Sequence, residues 1–360
     1  MTIISSRERD VIPVSILPEP RILAMGIGGV GNDLLTHLMD YDSDGVFCVA
    51  TDTDRYHLQI ARAHSKLLIE SELSLNSGTR GDVDAARDAA LQMSESLRRT
   101  LQGADVVFLL AGMGGGTGGG VAPIISDLAR ESGSLVVGLV TMPSRFEPSF
   151  FRTAIDNIRR MINSTDTVVL IDDQPSMLPL TLPNRQNSDE HGQVCYSIVS
   201  SITDVFKGSN HLSSDSTALR SLLRRGGLAK ASVGYSYSPW GIEAAMLAVL
   251  RSSMVLGHLS DAHGIFVDVI GKDGLSDAAI GTALDFLTPH IGRETELVCR
   301  GRVDEKIRGM TRVQLLATGV GFPYAWGGYR RVPFDLYDLE PESAEEESID
   351  LALDLQQLEG

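Results

Sequence analysis

The 360-residue sequence has few cysteines, few lysines and no long apolar run. Its three cysteines, Cys48, Cys195 and Cys299, lie far apart without a C-x-x-C pair, so neither a disulfide framework nor a structural zinc site is suggested. No stretch of eighteen apolar residues occurs, and the N-terminus MTIISSRERD mixes acids and bases around no apolar centre. A membrane-spanning helix and a secretory signal are therefore not expected, and the chain reads as cytoplasmic. The eight histidines form no H-x-x-x-H or H-E-x-x-H pair, and G-x-S-x-G is absent, which leaves zinc-protease and serine-hydrolase chemistry without support. Positive charge is also scarce: Lys plus Arg number 31, five of them Lys, against 47 Asp plus Glu, a net charge of −16. That balance argues against nucleic acid or an anionic membrane surface as partner. Ten of the acids follow Arg331, where no Lys or Arg remains, so most of the excess belongs to a tail.

What is present is a chain with 43% hydrophobic residues, enough for one large core or two medium ones. Apolar runs alternate with amphipathic ones. Strands are predicted at Ile22 to Met25, Val46 to Ala50, Val106 to Ala111, Leu135 to Thr141 and Val168 to Ile171. Between them the periodicity predicts helices at Asp33 to Met39, Asp82 to Leu101 and Val121 to Glu131. This βαβ order implies a parallel, Rossmann-like sheet covered on both faces, with ligands beyond the carboxyl ends of its strands. Helices at 190 to 207 and Thr217 to Arg225 follow, then a smaller α/β unit. Its expected parts are helices at Gly241 to Met254 and Ser276 to Phe286 and strands at Ile265 to Ile270, Glu296 to Val303 and Thr311 to Thr318. The expected organisation is thus a loose arm over 1–20, a nucleotide-binding domain over 21–190, and a central helix with its following loop over 191–225. A C-terminal mixed-sheet domain over 226–325 and an acidic tail over 326–360 complete it.

Two glycine loops carry the chemistry. The first, Gly26-Ile27-Gly28-Gly29-Val30-Gly31-Asn32, joins a strand to a helix, the setting in which G-x-G-x-x-G marks a phosphate site. Asp52 ends the next strand about twenty residues later, where an acid would hold a dinucleotide ribose, so an NAD-binding enzyme is one reading of this half alone. The second loop runs from Gly112 to Gly120 with seven glycines in nine residues, including Gly114, Gly115, Gly116 and Gly118, and a hydroxyl at Thr117. Backbone N–H groups unobstructed by β-carbons can wrap a phosphate there, helped by the positive end of the following helix. Two such loops in one sheet point to a nucleoside di- or triphosphate. No G-K-[ST] follows either run, which excludes a P-loop NTPase.

The segment GGGTGGG at 114–120 resembles the G-G-G-T-G-[TS]-G signature of the tubulin/FtsZ superfamily, departing from it at Gly119. ILAMGIGGVGN, VTMPSRFEP and LLATGV extend the resemblance over roughly residues 21 to 320, with FtsZ the more similar branch. The resemblance implies a GTP/GDP site with Mg²⁺ and head-to-tail self-association into filaments that serve cell division or cell shape. By the same resemblance Gly28, Gly29, Val30, Gly31 and Asn32, with Gly114 to Gly118, hold the phosphates. Asp52 lies near the magnesium or its waters, Glu147 and Arg152 approach the ribose, and Asp173 stands where an asparagine usually reads guanine. The plain alternatives are a strand-end Asp52, Asn32 as a helix N-cap, and Glu147 with Arg152 as a surface pair.

Three departures qualify this. The family's third loop, with its Asn-Pro, is replaced by Gly78-Thr79-Arg80-Gly81-Asp82-Val83, where Gly81 keeps a backbone N–H and Arg80 adds a charge that a solvated loop also explains. The Glu147-to-Arg152 spacing is five where the family has four. In the family an N-x-D-x-x-D loop from the neighbouring subunit positions the attacking water; the matching positions here are Ser213, Asp215 and Ala218, so Asp215 alone is the catalytic candidate and GTP hydrolysis is an open question. The alternative is a non-hydrolysing scaffold or regulator working with a complete FtsZ-family protein. The tail end, SIDLALDLQQLEG, carries Leu351, Leu355 and Leu358 on one helical face and offers either a solvated helix or a docking peptide for another protein.

Overall fold

The computed structural model describes residues 19–41, 44–70, 78–143, 148–171, 190–208, 216–237, 241–251, 259–271, 277–303 and 310–321. The arm except its last two residues, and the acidic tail, lie outside them. The first half alternates strands and helices: β1 (Ile22–Ile27), α1 (Gly28–Asp40), β2 (Val46–Asp52), α2 (Arg55–Ile60), β3 (Ser65–Leu68), α3 (Val83–Gln92) and α4 (Ser94–Leu101). It continues through β4 (Val106–Gly112), α5 (Gly116–Glu131), β5 (Leu135–Thr141), α6 (Pro148–Ser164) and β6 (Thr167–Ile171). The second half comprises α7 (Glu190–Lys207), α8 (Ser216–Arg224), β7 (Gly227–Ser236), α9 (Gly241–Arg251), β8 (Gly264–Gly271), α10 (Asp277–Leu287), β9 (Glu296–Val303) and β10 (Thr311–Thr318).

The ten strands among the described residues join one sheet in the order β3-β2-β1-β4-β5-β6-β7-β10-β8-β9. The strands from β3 to β7 are parallel, β10 is antiparallel to both its neighbours, and β9 is parallel to β8. Every residue of β1 and β5 is buried, as expected for strands sandwiched between helical layers. Alternate side chains enter two cores. Leu23, Met25, Val107 and Leu109 pack with Ala89, Ile125 and Ile158 of α3, α5 and α6; Ile22, Ala24, Val106 and Phe108 pack with Leu35 of α1 and Ile198 of α7. The α/β expectation holds, with its two parts fused by the short parallel pairing of β6 with β7 into one continuous sheet.

Several elements differ from the sequence-based expectation. The helix expected over Asp82 to Leu101 breaks at Met93, whose ψ of 12° is not helical, and Asp82 serves as N-cap, its Oδ1 accepting from Asp84 N and Ala85 N at 3.0 Å each. Both glycine loops are shorter than expected because α1 begins at Gly28 and α5 at Gly116. The unpredicted β3 is four residues at the sheet edge with Ser65 and Lys66 exposed. The unpredicted β7 hides its strand pattern behind Lys230 and Gly234; a β-carbon at Gly234 would lie 2.1 Å from Ala245 O of α9, so that glycine is what lets α9 cross the sheet.

A buried polar seam ties α7 to the second half of the sheet. Ser197 Oγ lies 2.8 Å from Gln314 Oε1, and Ser201 Oγ donates to Asp268 Oδ2 at 2.5 Å. Asp268 and Arg300, both fully buried, pair at 2.9 Å across β8 and β9. Burial opposes ionisation of Asp268, but Arg300, Arg302 and Arg312 with the Ser201 hydroxyl outweigh it and hold the carboxyl below the ordinary aspartate range. Asp268→Ala leaves the buried Arg300 guanidinium only Asp204, at 3.7 Å, among the described residues and is expected to cost about 3–5 kcal/mol in urea unfolding at pH 7. Because the folded value is depressed, the wild-type margin over Asp268→Ala is complete above the ordinary value of about 4 and shrinks as pH falls through the folded value. A margin independent of pH down to that range would show that the lost contacts, not the charge, carry the effect.

Candidate functional site

The parallel order reverses between β1 and β4: from β1 the chain runs outward to β2 and β3, then crosses back to β4 on the other side. Such a switch point leaves a crevice at the carboxyl ends of the strands. A cavity of about 540 Å³ occupies that place. Gly28, Gly29 and Val30 of α1 line one wall, and Gly114 to Gly118 at the start of α5 line another. The end of β2, with Asp52, Thr53 and Asp54, and the loop 78–81 close the polar end. Met142, Pro143 and Phe150 form an apolar end.

Besides α6, whose Phe150 lines the apolar end, four described helices begin at this cavity or beside it, and these four fall into two kinds. Asp54 caps α2 by accepting from Tyr56 N at 2.7 Å, and Asp82 caps α3. By contrast α1 follows Ile27 and α5 follows Gly115, neither making a side-chain cap, and neither first turn holds an acid. The first N–H groups of a helix have no partner within it and carry partial positive charge. Two uncapped helix starts lining one cavity therefore form an anion cradle, and their donor set suits the linked phosphates of a nucleotide.

The glycines of the second run divide by task. Gly115 has open space where a β-carbon would point, towards the cavity it lines. Gly118, Gly119 and Gly120 instead let α5 pack: added β-carbons would lie 2.2 Å from Gly112 O, 2.0 Å from Asn157 Nδ2 and 2.3 Å from Val83 O. Gly119 and Gly120 do not line the cavity. Gly31 belongs with this second kind, its β-carbon position lying 2.1 Å from Leu110 O.

Asn32 is buried on α1 rather than capping it, since the helix has already begun at Gly28. Its Nδ2 donates to Thr51 O and to Asp52 Oδ2, both at 3.3 Å, while its Oδ1 has no partner among the described residues. Asp52 is 1% exposed. Burial pushes its carboxyl above the ordinary range, against the Asp54 N–H at 3.0 Å and the charge of His57, whose Nδ1 lies 4.0 Å away. Thr53 Oγ1 meets Thr117 Oγ1 at 2.8 Å, tying the end of β2 to the first turn of α5.

The cavity thus gathers Gly28, Gly29, Val30, Asp52, Gly81, Gly114, Gly115, Gly116, Thr117 and Gly118 from the sequence-based candidates. Gly31 and Asn32 stand behind it. Arg152 is exposed on α6 and does not line it, although Phe150 two positions earlier does. Glu147, Asp173 and Asp215 lie outside the described residues. Thr53, Asp54 and His57 are not among the sequence-based candidates; the Thr51-Asp52-Thr53-Asp54 run at the end of β2, with Asp54 in N-cap position, is the available signal.

Residues 21–176 match the model of the Tubulin/FtsZ family, GTPase domain. The chain is 30% identical over 309 residues to cell division protein FtsZ 2 of Methanocaldococcus jannaschii, covering 85% of this chain and 81% of that one. It is 28% identical to cell division protein FtsZ of Haloferax mediterranei, covering 86% and 82%. Among solved structures, an empty FtsZ dimer from M. jannaschii superposes with a TM-score of 0.77 at 25% identity, covering 90% of this chain and 96% of that one. CetZ2 from Haloferax volcanii shares the fold, with a TM-score of 0.68 at 20% identity over 83% of this chain and 93% of that one.

The raised value at Asp52 has a measurable consequence. A carboxyl whose folded pKa is raised stabilises the fold below its unfolded value and loses that contribution as pH rises through the folded value. Asp52→Asn keeps an acceptor for Asp54 N–H, so in metal-free buffer at pH 7 its thermal midpoint is expected to equal or exceed wild type, converging with it near pH 4. A lower midpoint at pH 7 would mean that hydrogen bonds to the ionised form outweigh its burial.

Proposed function

The chain belongs to the tubulin/FtsZ family, and on that premise we propose that it is a cytoplasmic GTP-binding cytoskeletal protein that self-associates head to tail and hydrolyses GTP slowly. The observation that carries the nucleotide assignment is the pair of uncapped, glycine-lined helix starts facing one cavity at the switch point. A dinucleotide would need only the first of them; two favour a di- or triphosphate chain. Backbone N–H groups of Gly28 to Val30 and of Gly114 to Gly118 hold the phosphates, with Thr117 adding a hydroxyl. Gly31 and Asn32 support this cradle from behind, and Gly81 borders it. Asp52 sits where a divalent cation with its waters would favour the ionised carboxylate, and Mg²⁺ bound there would neutralise phosphate charge. Glu147 serves the ribose and Asp173 the base, while Arg152 lies outside the cavity lining. In this proposal residues 21–190 form the nucleotide-binding part, 191–225 the central helix and catalytic loop, and 226–325 the C-terminal part.

Assembly completes the reaction. Asp215 from a neighbouring copy enters the cavity's open side and orients the attacking water; the FtsZ dimer among the structural neighbours supports a self-associating arrangement. The stretch 207–218 holds one carboxylate, with Ser213 and Ala218 at the other two positions. One acid polarises water less well than a pair, hence the slow turnover. The same observation favours a second reading, a chain that binds nucleotide without turnover and acts as a scaffold beside a complete FtsZ-family protein. No helix among the described residues is long and apolar enough to cross a membrane, and the acidic tail is left to dock another protein.

Phosphate release from GTP and Mg²⁺ across protein concentrations, paired with binding of GDP, separates these readings. Turnover rising faster than linearly with protein is the expected result, and Asp215→Ala should lower it about 10²-fold or more while leaving binding intact. Binding without turnover selects the scaffold, and a chain that binds no guanine nucleotide overturns both.

A further inference from the structure

The loop 78–81 holds an arginine where its backbone favours glycine. Asp82 N donates to Thr79 O at 2.9 Å, and the two residues between have positive φ, 50° at Arg80 and 89° at Gly81. This is the pattern of a type I′ turn, whose central positions belong to Gly, Asn and Asp. Arg80 is the one non-glycine residue with positive φ among the described residues. A side chain kept in a disfavoured conformation points to a use for that side chain.

The turn is also held in place. Asp82 is committed to capping α3, a β-carbon on Gly116 would lie 2.6 Å from Gly81 C, and one on Gly78 would lie 3.3 Å from Asp54 Cβ. The loop therefore spans from the first residue of α5 to the end of β2, and Arg80 lines the cavity between them. Although Asp52 and Asp54 line the same cavity, Arg80 is exposed and makes no ion pair among the described residues. Asp54 and Asp82 are already engaged as caps.

The cavity has a direction. Gly114 abuts Pro143, at 3.0 Å from a β-carbon position, beside the apolar end with Phe150, whereas Gly116 abuts Gly81 and Asp82, and Thr117 next to it meets Thr53 just after β2 at 2.8 Å. A nucleotide whose sugar and base face the apolar end runs its phosphate chain past the two helix starts towards Arg80. We infer that Arg80 reads the terminal phosphate in cis, its guanidinium making the cavity prefer a nucleoside triphosphate over the diphosphate. The inference rests on the nucleotide reading above. A guanidinium offers two parallel donors to phosphate oxygens, and an arginine on a terminal phosphoryl group is a recognised way to hold its charge.

Arg80→Gly suits the turn, so it removes the charge without straining the backbone, and Arg80→Lys keeps a charge without the fork. The experiment measures equilibrium binding of GDP and of a slowly hydrolysed GTP analogue, with Mg²⁺, to the full chain and both variants, with thermal midpoints as a folding control. The expected result is an Arg80→Gly midpoint at or above wild type, a loss of about tenfold or more for the triphosphate, and little change for GDP, with Arg80→Lys between. An equal loss for both nucleotides, or none for either, overturns the inference and leaves the nucleotide reading standing. Wild-type chain that binds neither nucleotide overturns the nucleotide reading itself, and the inference falls with it.

Discussion

The close approach of the first turns of α5 to everything around them is the constraint on which the rest of the cavity depends. Four surfaces meet there: the end of β4, the loop 78–81, the start of α3 and Asn157 of α6. At each of them a β-carbon on α5 would come within 2.6 Å of a neighbouring atom. Glycine at those positions lets α5 sit deep enough for its uncapped start to face the uncapped start of α1 across one cavity. Asn157 reinforces the arrangement by donating from Nδ2 to Met113 O at 2.8 Å, pinning the turn between β4 and α5 from the side of α6.

Around that contact the chain spends its acids selectively. Asp54 and Asp82 close off α2 and α3, while α1 and α5 are left for a ligand. Asp52 is buried, held by the Asp54 N–H and Asn32, and kept reluctant to ionise by desolvation. In the proposed nucleotide complex a phosphate-bound cation would shift that balance by adding opposite charge beside the carboxylate. The arrangement is consistent with a site whose electrostatics are completed by its ligand rather than by the protein.

The second half of the molecule is joined to this site by α7, which packs on α1 through the core containing Leu35 and Ile198 and on the sheet through Ser197 and Ser201. Both kinds of contact are buried. A helix bonded on one side to the element that begins at the cavity, and on the other to the Asp268–Arg300 pair, places the two halves in mechanical contact. The continuous sheet through β6 and β7 supplies the second connection.

Much of this was legible in one dimension. The runs that become β5 and β10 have their predicted bounds, because a strand buried on both faces writes itself into local composition; β9 has its predicted bounds too, though its burial neither alternates nor covers both faces. Both glycine loops, Asp52 and the α/β order were equally visible. The break at Met93 was not, because the apolar spacing continues through it; β7 was not, because Lys230 and Gly234 interrupt its pattern, Gly234 so that α9 can approach. Within the site, local sequence marked which residues permit a phosphate cradle. Tertiary packing decided which glycines face the cavity and which admit a neighbour, that Asn32 orients Asp52 from behind, that Arg152 stands apart from the cavity lining, and that Arg80 lies within it. Those outcomes depend on distances between segments tens of residues apart, such as Gly81 to Gly116 or Gly119 to Asn157. A local pattern encodes the conformation a segment prefers, whereas which atoms it meets is set only when the core closes around it.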